Sequence, residues 1–276
     1  MFDMKISARL PDVYWEVILS LLILSAYSLI IQKTWPALLL QVAVTAIAAA
    51  VADMFIAYHK RRRLSLPKTG IISGLFIGML LNSGAAWYLV AFVALLSILL
   101  KHLLVLNKRQ IFNTAALGLT ISGLIFNEGA GWWGASSIIL ITALGLILAY
   151  RMKAFNIIIP FFAAYAAFTL LLAGAHLGLA KDLALLSGRI MAPLIPFFAF
   201  FMLIEPRTTP RRNRNRIAYG AFVGALSPVF LVYLPSYSIL GALLAGNLFT
   251  GVLPALRRIS KPHNHIPLSW RHYVGI

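Results

Sequence analysis

Cysteine is absent from the sequence, and this absence removes several kinds of chemistry from the chain. Disulfides, thiolate zinc sites, cysteine-ligated iron–sulfur clusters and thiol nucleophiles all require that residue. The hydrolase and phosphate-binding motifs G-x-S-x-G, H-E-x-x-H and Walker A are also missing. We therefore assign no catalytic residue, and any iron–sulfur relay would have to come mostly from another subunit.

Acidic residues are scarce, with 7 Asp and Glu against 24 Lys and Arg and a net charge of +17. The cations stand in short clusters between apolar runs, a pattern typical of membrane loops and not of a nucleic-acid-binding face. Charged residues make up only 11% of the 276 positions, whereas a water-facing domain has about a quarter. With 61% hydrophobic residues and a mean hydropathy of +0.88, the composition indicates an integral membrane protein whose first partner is the lipid bilayer.

The apolar runs predict about ten transmembrane helices, because a hydrocarbon core of about 30 Å requires roughly 20 residues per helix. The predicted spans lie near 13–31, 35–57, 70–84, 86–104, 112–127, 134–150, 154–174, 187–204, 217–234 and 236–256. The third span is rich in glycine and follows Pro67, so a half-helix that lines a site is the alternative to a full span. The polar start and the long first apolar run predict no cleavable signal.

The cations predict the orientation of these spans. If the N-terminus lies in the cytoplasm, 21 of the 24 Lys and Arg residues fall on the inner side, and the outer segments keep only Lys33, Lys181 and Arg189. Such an alternation follows the positive-inside rule. We therefore expect a multi-pass protein of the cell (inner or plasma) membrane with both termini cytoplasmic.

An internal repeat is indicated by Gly74-Leu75-Phe76-Ile77-Gly78, which recurs as Gly220-Ala221-Phe222-Val223-Gly224. Five helices per repeat would invert the second copy, because an odd number of spans reverses its direction. The expected fold class is an all-α integral membrane protein of two inverted five-helix repeats. The single domain 1–276 would contain repeat one (13–127), repeat two (134–256) and a basic cytoplasmic tail (257–276). The alternative is that glycine-rich apolar helices resemble one another by composition.

Polar side chains near apolar runs are the candidates for a site, because each one needs a partner there. We interpret Asp53 as an ion-pair partner of the Lys60–Arg63 cluster, and Glu205 as a possible partner of Arg207. The amides of Asn82, Asn113 and Asn247 could bind a polar ring, a solute or one another. Histidines are isolated or irregularly spaced, so no metal site is expected.

Two segments resemble the NqrB/RnfD family of membrane subunits from sodium-pumping and Rnf-type electron-transfer complexes. Lys101 followed by Gln110-Ile111-Phe112-Asn113-Thr114-Ala115 resembles the signature G-K-x-x-F…N-x-F-N-P-A. The segment 186–210, ending in Phe200-Phe201-Met202-Leu203-Ile204-Glu205-Pro206-Arg207-Thr208-Thr209-Pro210, resembles L-S-G-G-x-M…F-F-M-x-T-D-P-x-T-S-P. Together with 67–81, which is similar to T-G-L-x-T-G-L-L, the resemblance covers residues 65 to 256.

The resemblance implies a ten-helix inverted-repeat fold and bound flavin. The family attaches one FMN covalently to the Thr of S-G-A-T, a motif that this sequence lacks, so no covalent FMN is expected. The family also has an inner flavin site, which uses amides and an acid. This sequence matches that site better than it matches the covalent one. This match implies non-covalent riboflavin or FMN held by the following residues: Lys101, Gln110, Phe112, Asn113, Glu205 and Thr208.

The resemblance therefore implies a membrane electron-transfer subunit, part of a membrane oxidoreductase, with other membrane or flavin-carrying redox subunits as partners. The alternative is a small-solute channel or transporter of urea-transporter-like fold, with the three amides along its pore. A third possibility is a scaffold whose basic loops bind anionic lipid or an acidic partner.

Overall fold

The computed structural model describes residues 12–62, 66–106, 109–173, 188–234 and 237–251, and this part of the chain is mostly helical. Its helices are α1 (Val13–Ile31), α2 (Trp35–Arg61), α3 (Lys68–Leu80), α4 (Trp87–Leu103), α5 (Thr114–Phe126), α6 (Ile138–Arg151), α7 (Phe155–Ala173), α8 (Leu194–Phe197), α9 (Asn213–Tyr233) and α10 (Ser238–Gly251). A π-helix, Phe198–Met202, continues α8. Two short antiparallel strands, β1 (Val105–Leu106) and β2 (Arg109–Gln110), lie between α4 and α5.

Helix length separates two groups. Within the described residues, α1, α2, α7 and α9 are long and apolar enough to cross a membrane. The apolar helices α3, α4, α5, α6 and α10 are shorter, at 10–17 residues. The chain is therefore a membrane protein, while the count of ten full spans and the orientation of the termini stay predictions. The predicted tail, 257–276, and the last residues of repeat two lie outside the described residues.

Local signals explain where several helices begin and end. Asp12 caps α1, because its Oδ1 accepts a hydrogen bond from the Tyr14 N–H at 3.2 Å. Ser137 caps α6 in the same way, at 3.4 Å from the Leu140 N–H. At the other end of α5, Asn127 takes the left-handed conformation, with φ 56°, that closes many helices.

The third helix is short and buried. α3 has 13 residues, which gives a length of about 20 Å and leaves it too short for a 30 Å hydrocarbon core. It is buried continuously from Ser73 to Leu80. Beyond its end, Leu81 forms an antiparallel backbone bridge with Ala130, in the segment before α6. The half-helix alternative therefore describes α3 better than a full span does.

The predicted span at 187–204 is also broken. Its described helical parts are residues 188–191, the four residues of α8 and the five of the π-helix. Residues 174–187, which include the start of this predicted span, lie outside the description. The π-helix is buried throughout and packs against α6 and α7. Short buried helices thus stand at two places between the longer ones.

The two glycine pairs of the proposed repeat both serve close helix packing. A Cβ at Gly74 would lie 2.5 Å from the Thr45 carbonyl oxygen of α2, and Gly78 meets the same stretch of α2. Gly220 and Gly224 approach the carbonyl groups of α7 equally closely. The two pentapeptides therefore share a packing role, while the inverted five-plus-five repeat stays a prediction.

The connections between helices meet at two ends of the bundle. At one end, Lys60 Nζ donates to the His102 carbonyl at 3.2 Å, and Arg109 Nη2 donates to the Pro206 carbonyl at 3.4 Å. Arg151 forms an ion pair with Glu16 there at 2.5 Å. We call this the basic end. It collects segments that the positive-inside pattern assigns to the cytoplasm.

Candidate functional site

A buried charged cluster joins α2, α3 and α4 near the basic end. Lys101 Nζ lies 2.8 Å from Asp53 Oδ2, and the side chains are only 4% and 8% exposed. His102 Nε2 contacts the other carboxylate oxygen at 2.7 Å. Thr69 completes the cluster, accepting from Lys101 at 2.8 Å and donating to Asp53 at 3.3 Å. All four polar groups therefore have partners within what we call the Asp53 cluster.

This cluster corrects the interpretation of Asp53. The sequence placed it in an ion pair with the Lys60–Arg63 cations, whereas its partners are Lys101 and His102 of another helix. Of the predicted cations, Lys60 donates to a backbone carbonyl, while Arg63 and the side chain of Arg61 lie outside the described residues. The close packing of α3 brings Thr69 to the same carboxylate, because Gly70 lies directly against Asp53 and a Cβ there would come within 2.7 Å of the Asp53 Cβ.

A second buried network joins the two halves through amides. Asn113 caps α5 with its Oδ1, 2.9 Å from the Ala116 N–H, and its Nδ2 donates to the Met202 carbonyl at 3.3 Å. Its backbone N–H donates to Asn247 Oδ1 at 2.9 Å, and Asn247 Nδ2 donates to the Tyr219 hydroxyl at 2.9 Å. Asn113 and Asn247 thus bond to the protein, including to each other.

The residues beside Asn113 are also engaged locally. Gln110 Nε2 donates to the Phe112 carbonyl and to Thr114 Oγ1, both at 2.6 Å. The Gln110 Oε1 atom is buried without a hydrogen-bond partner among the described residues. This arrangement ties the β2 strand to the first turn of α5.

Glu205 lies in the turn that follows the π-helix, outside the predicted spans. Its backbone carbonyl accepts from the Thr208 and Thr209 N–H groups at 3.2 and 3.1 Å. Its carboxyl atom Oε2, in contrast, is buried and has no hydrogen-bond partner among the described residues. Burial raises the pKa of Glu205 to about 7, although the charges of Lys101 and Arg207 act in the opposite direction. The carboxyl therefore exchanges its proton near neutral pH.

Glu205 closes a cavity of about 260 Å³ between α1, α3, α6 and the π-helix. We call it the apolar cavity. Its aromatic walls are Tyr14, Phe76, Phe200 and Phe201. It lies where the first and second halves of the chain meet, since α1 and α3 belong to one and α6 and the π-helix to the other.

A more polar cavity of about 250 Å³ adjoins it at the basic end. We call this the vestibule. The two cavities share Asp12, Tyr14 and Thr69 as wall residues. Lys60, His102 and Arg207 belong to the vestibule alone.

The residues that the resemblance assigns to a flavin are only partly brought together. Glu205 and Thr69 both line the apolar cavity. Lys101 does not line this cavity, but it donates a hydrogen bond to the Thr69 hydroxyl. Asn113, Gln110 and Phe112 line neither cavity. Thr208 supports the Glu205 turn and does not line them either.

Sequence reasoning missed the aromatic walls and one motif. Phe200 and Phe201 stand in the segment quoted for the resemblance, so their proximity to Glu205 was the available signal. The segment 129–134 reads G-x-G-x-x-G, but it connects α5 to α6, and no strand leads into it. It therefore lacks the strand–turn–helix context of a dinucleotide site. Within the described part of the chain, no three His, Asp or Glu side chains could share a metal ion.

The family resemblance stays a prediction. The resemblance to the NqrB/RnfD family rests on the segments quoted above. No protein-family model matches the chain, and no curated protein gives a significant match.

Proposed function

We propose that the protein is a membrane electron-transfer subunit that holds a flavin non-covalently in the apolar cavity. The observation that supports this proposal most directly is the unpartnered Oε2 atom of Glu205 at the edge of an aromatic-walled cavity. A flavin ring has apolar faces and a hydrogen-bonding edge. Aromatic side chains pack well against such faces, and a buried oxygen needs a partner of the kind that the edge offers.

The side chains around the cavity would set the position of the flavin and the protonation of its surroundings. The flavin, when bound, supplies the redox chemistry. Glu205 can hold or release a proton there, because its pKa is about 7. Phe200 and Phe201 line the same cavity as Glu205, and the positive charge of Lys101 acts on the Glu205 carboxyl.

The location and partners belong to the same proposal. We place the protein in the cell membrane with both termini in the cytoplasm, so that the basic end faces the cytoplasm. Electrons would pass between the cavity and other membrane or flavin-carrying redox subunits. Such a complex fits a chain that contains no cysteine and cannot build a thiolate-bound iron–sulfur relay alone.

A cavity-blocking variant tests the proposal. Val17 of α1 lines the apolar cavity, and Leu19 of the same helix is 60% exposed on the outer surface of the chain. We expect purified wild-type protein and Leu19→Trp to bind added flavin, and Val17→Trp to lose most of this binding. Absorption spectra and extraction of the chromophore measure the difference. Wild-type protein that stays colourless and takes up neither FMN nor riboflavin would contradict the proposal.

The channel or transporter alternative has less support from the same contacts. Asn113 and Asn247 bond to each other, and Asn82 Nδ2 donates to Glu128 Oε2 at 3.2 Å. The three amides thus have protein partners and need no solute. Uptake of small polar solutes into liposomes that contain the protein would favour this alternative.

A further inference from the structure

The vestibule is formed by segments from five parts of the chain, the first being Asp12 and Tyr14 at the start of α1. Lys60 ends α2, Lys68 begins α3, His102 ends α4, and Arg207 follows the π-helix. Among the described residues, Tyr14 is its one wall residue of the Phe, Tyr or Trp type, whereas four such side chains line the apolar cavity. The two neighbouring cavities therefore differ in chemistry while they share a wall.

The charges in the vestibule are unequally compensated. Asp12 pairs with Lys68 at 2.6 Å, and Asp53 pairs with Lys101 and His102. Both acids of the vestibule thus already have cationic partners. This leaves two cations that form no ion pair with a carboxylate of the described residues.

Those two cations are Lys60 and Arg207. Lys60 Nζ donates only to the His102 carbonyl among the described partners, and Arg207 has no hydrogen-bond partner there. Both residues are exposed, so their side chains can turn toward the vestibule without a change in the helices. Two cations match the charge of a phosphate monoester, which is about −1.5 to −2 at pH 7.

The start of α3 adds a smaller positive contribution to the electrostatic potential in the vestibule. Pro67 stands at the N-cap position, and no side chain caps this end. Pro67, Lys68 and Thr69 all line the vestibule. The Lys68 N–H donates to the Leu66 carbonyl at 2.9 Å, so the contribution of this helix start to anion binding is the positive end of the helix dipole.

We infer that the vestibule binds the phosphate monoester of a flavin whose ring lies in the apolar cavity, so that the bound flavin is FMN and not riboflavin. This inference rests on the proposed function. It adds a specificity that the apolar cavity cannot supply, because the ring is the same in both flavins. The two cavities share Asp12, Tyr14 and Thr69 as wall residues, so a ring in one and a phosphate in the other would be neighbours.

Comparison of the two flavins tests the inference. The full-length protein in phosphatidylcholine nanodiscs is titrated with FMN and with riboflavin, and flavin fluorescence quenching gives both dissociation constants. We expect FMN to bind about 10- to 100-fold more tightly, since one or two charge-assisted contacts are gained. The preference should shrink as salt is added, because the cations are exposed.

Charge-matched variants locate the effect. Lys60→Gln with Arg207→Gln should weaken FMN binding about 10- to 100-fold and leave riboflavin binding unchanged. The control is Lys153→Gln with Arg214→Gln, which removes the same charge from exposed positions that do not line the vestibule. The control should keep the preference for FMN.

The possible failures are distinguishable. Equal affinity for the two flavins would overturn the phosphate assignment and leave flavin binding intact. Loss of the FMN preference in phosphatidylglycerol nanodiscs, with its retention in phosphatidylcholine, would assign the vestibule to a lipid headgroup and overturn the inference. Binding of neither flavin would overturn the proposed function together with the inference.

Discussion

The Asp53 cluster and Glu205 show two ways of burying a carboxyl group near the same end of the bundle. Asp53 has contacts with Lys101, His102 and Thr69, so both of its oxygens are satisfied. Glu205 has a buried oxygen without any described partner, and its pKa is raised to about 7. A buried carboxylate whose oxygens all have partners links the helices that supply those partners. A buried carboxyl oxygen without a partner can instead bind a ligand or a proton.

The largest expected effect on stability concerns Asp53, the carboxylate whose oxygens all have partners. Asp53→Ala leaves the Lys101 ammonium buried without its counter-ion, and we expect a loss of about 3–5 kcal/mol in the free energy of unfolding. Lys68→Ala, which removes the exposed ion pair with Asp12 and leaves the Asp12 cap of α1 in place, serves as the control and should change little. Thermal or denaturant unfolding in detergent measures both. Equal effects of the two substitutions would contradict the structural role of Asp53.

The next effect concerns Glu205 and depends on pH. Its folded pKa of about 7 lies above the usual value of 4.5, so the folded state binds more protons between these two values. Stability should therefore fall as the pH rises from about 4.5 to about 7, by at most about 3 kcal/mol.

Glu205→Gln isolates this contribution. The variant stays neutral at every pH, so its stability relative to the wild type should increase over the same interval and level off above it. Unfolding curves at pH 5, 6 and 8 provide the measurement. A wild-type minus variant difference that does not change with pH would show that Glu205 is compensated after all.

A smaller effect is expected at Asn113. Asn113→Ala removes the cap of α5 and leaves the Met202 carbonyl without its side-chain donor, so the free energy of unfolding should fall by about 1–3 kcal/mol. Flavin affinity of the folded fraction should stay within about twofold of the wild type, because Asn113 does not line the apolar cavity. Selective loss of flavin at unchanged stability would instead favour the direct contact that the family resemblance implies.

Much of the local structure could be predicted because its causes are local. The first predicted span, 13–31, coincides with α1, and the second, 35–57, lies within α2. In both cases an apolar run begins at a capping or proline residue and ends at polar side chains. The third span was uncertain for a local reason as well, since its glycines permit close packing without defining a length.

The candidate site could be predicted only in part. Glu205 was singled out because an acid at the end of an apolar run is costly. Its neighbours Phe76 and Tyr14 come from distant segments, and no local signal relates them to it. Asn113 was also singled out correctly as a buried amide, but its partner, Asn247, lies 134 residues away.

By itself, the sequence determined that this chain is an apolar, mostly helical membrane protein with basic connections, because hydropathy and charge act residue by residue. Only the tertiary structure decided that Asp53 pairs with Lys101 and that Glu205 faces an apolar cavity without a partner. Both carboxyls stand near cations in the sequence. Which of them is compensated depends on how closely α3 packs on α2 and where the π-helix ends, and these are properties of packing between distant segments.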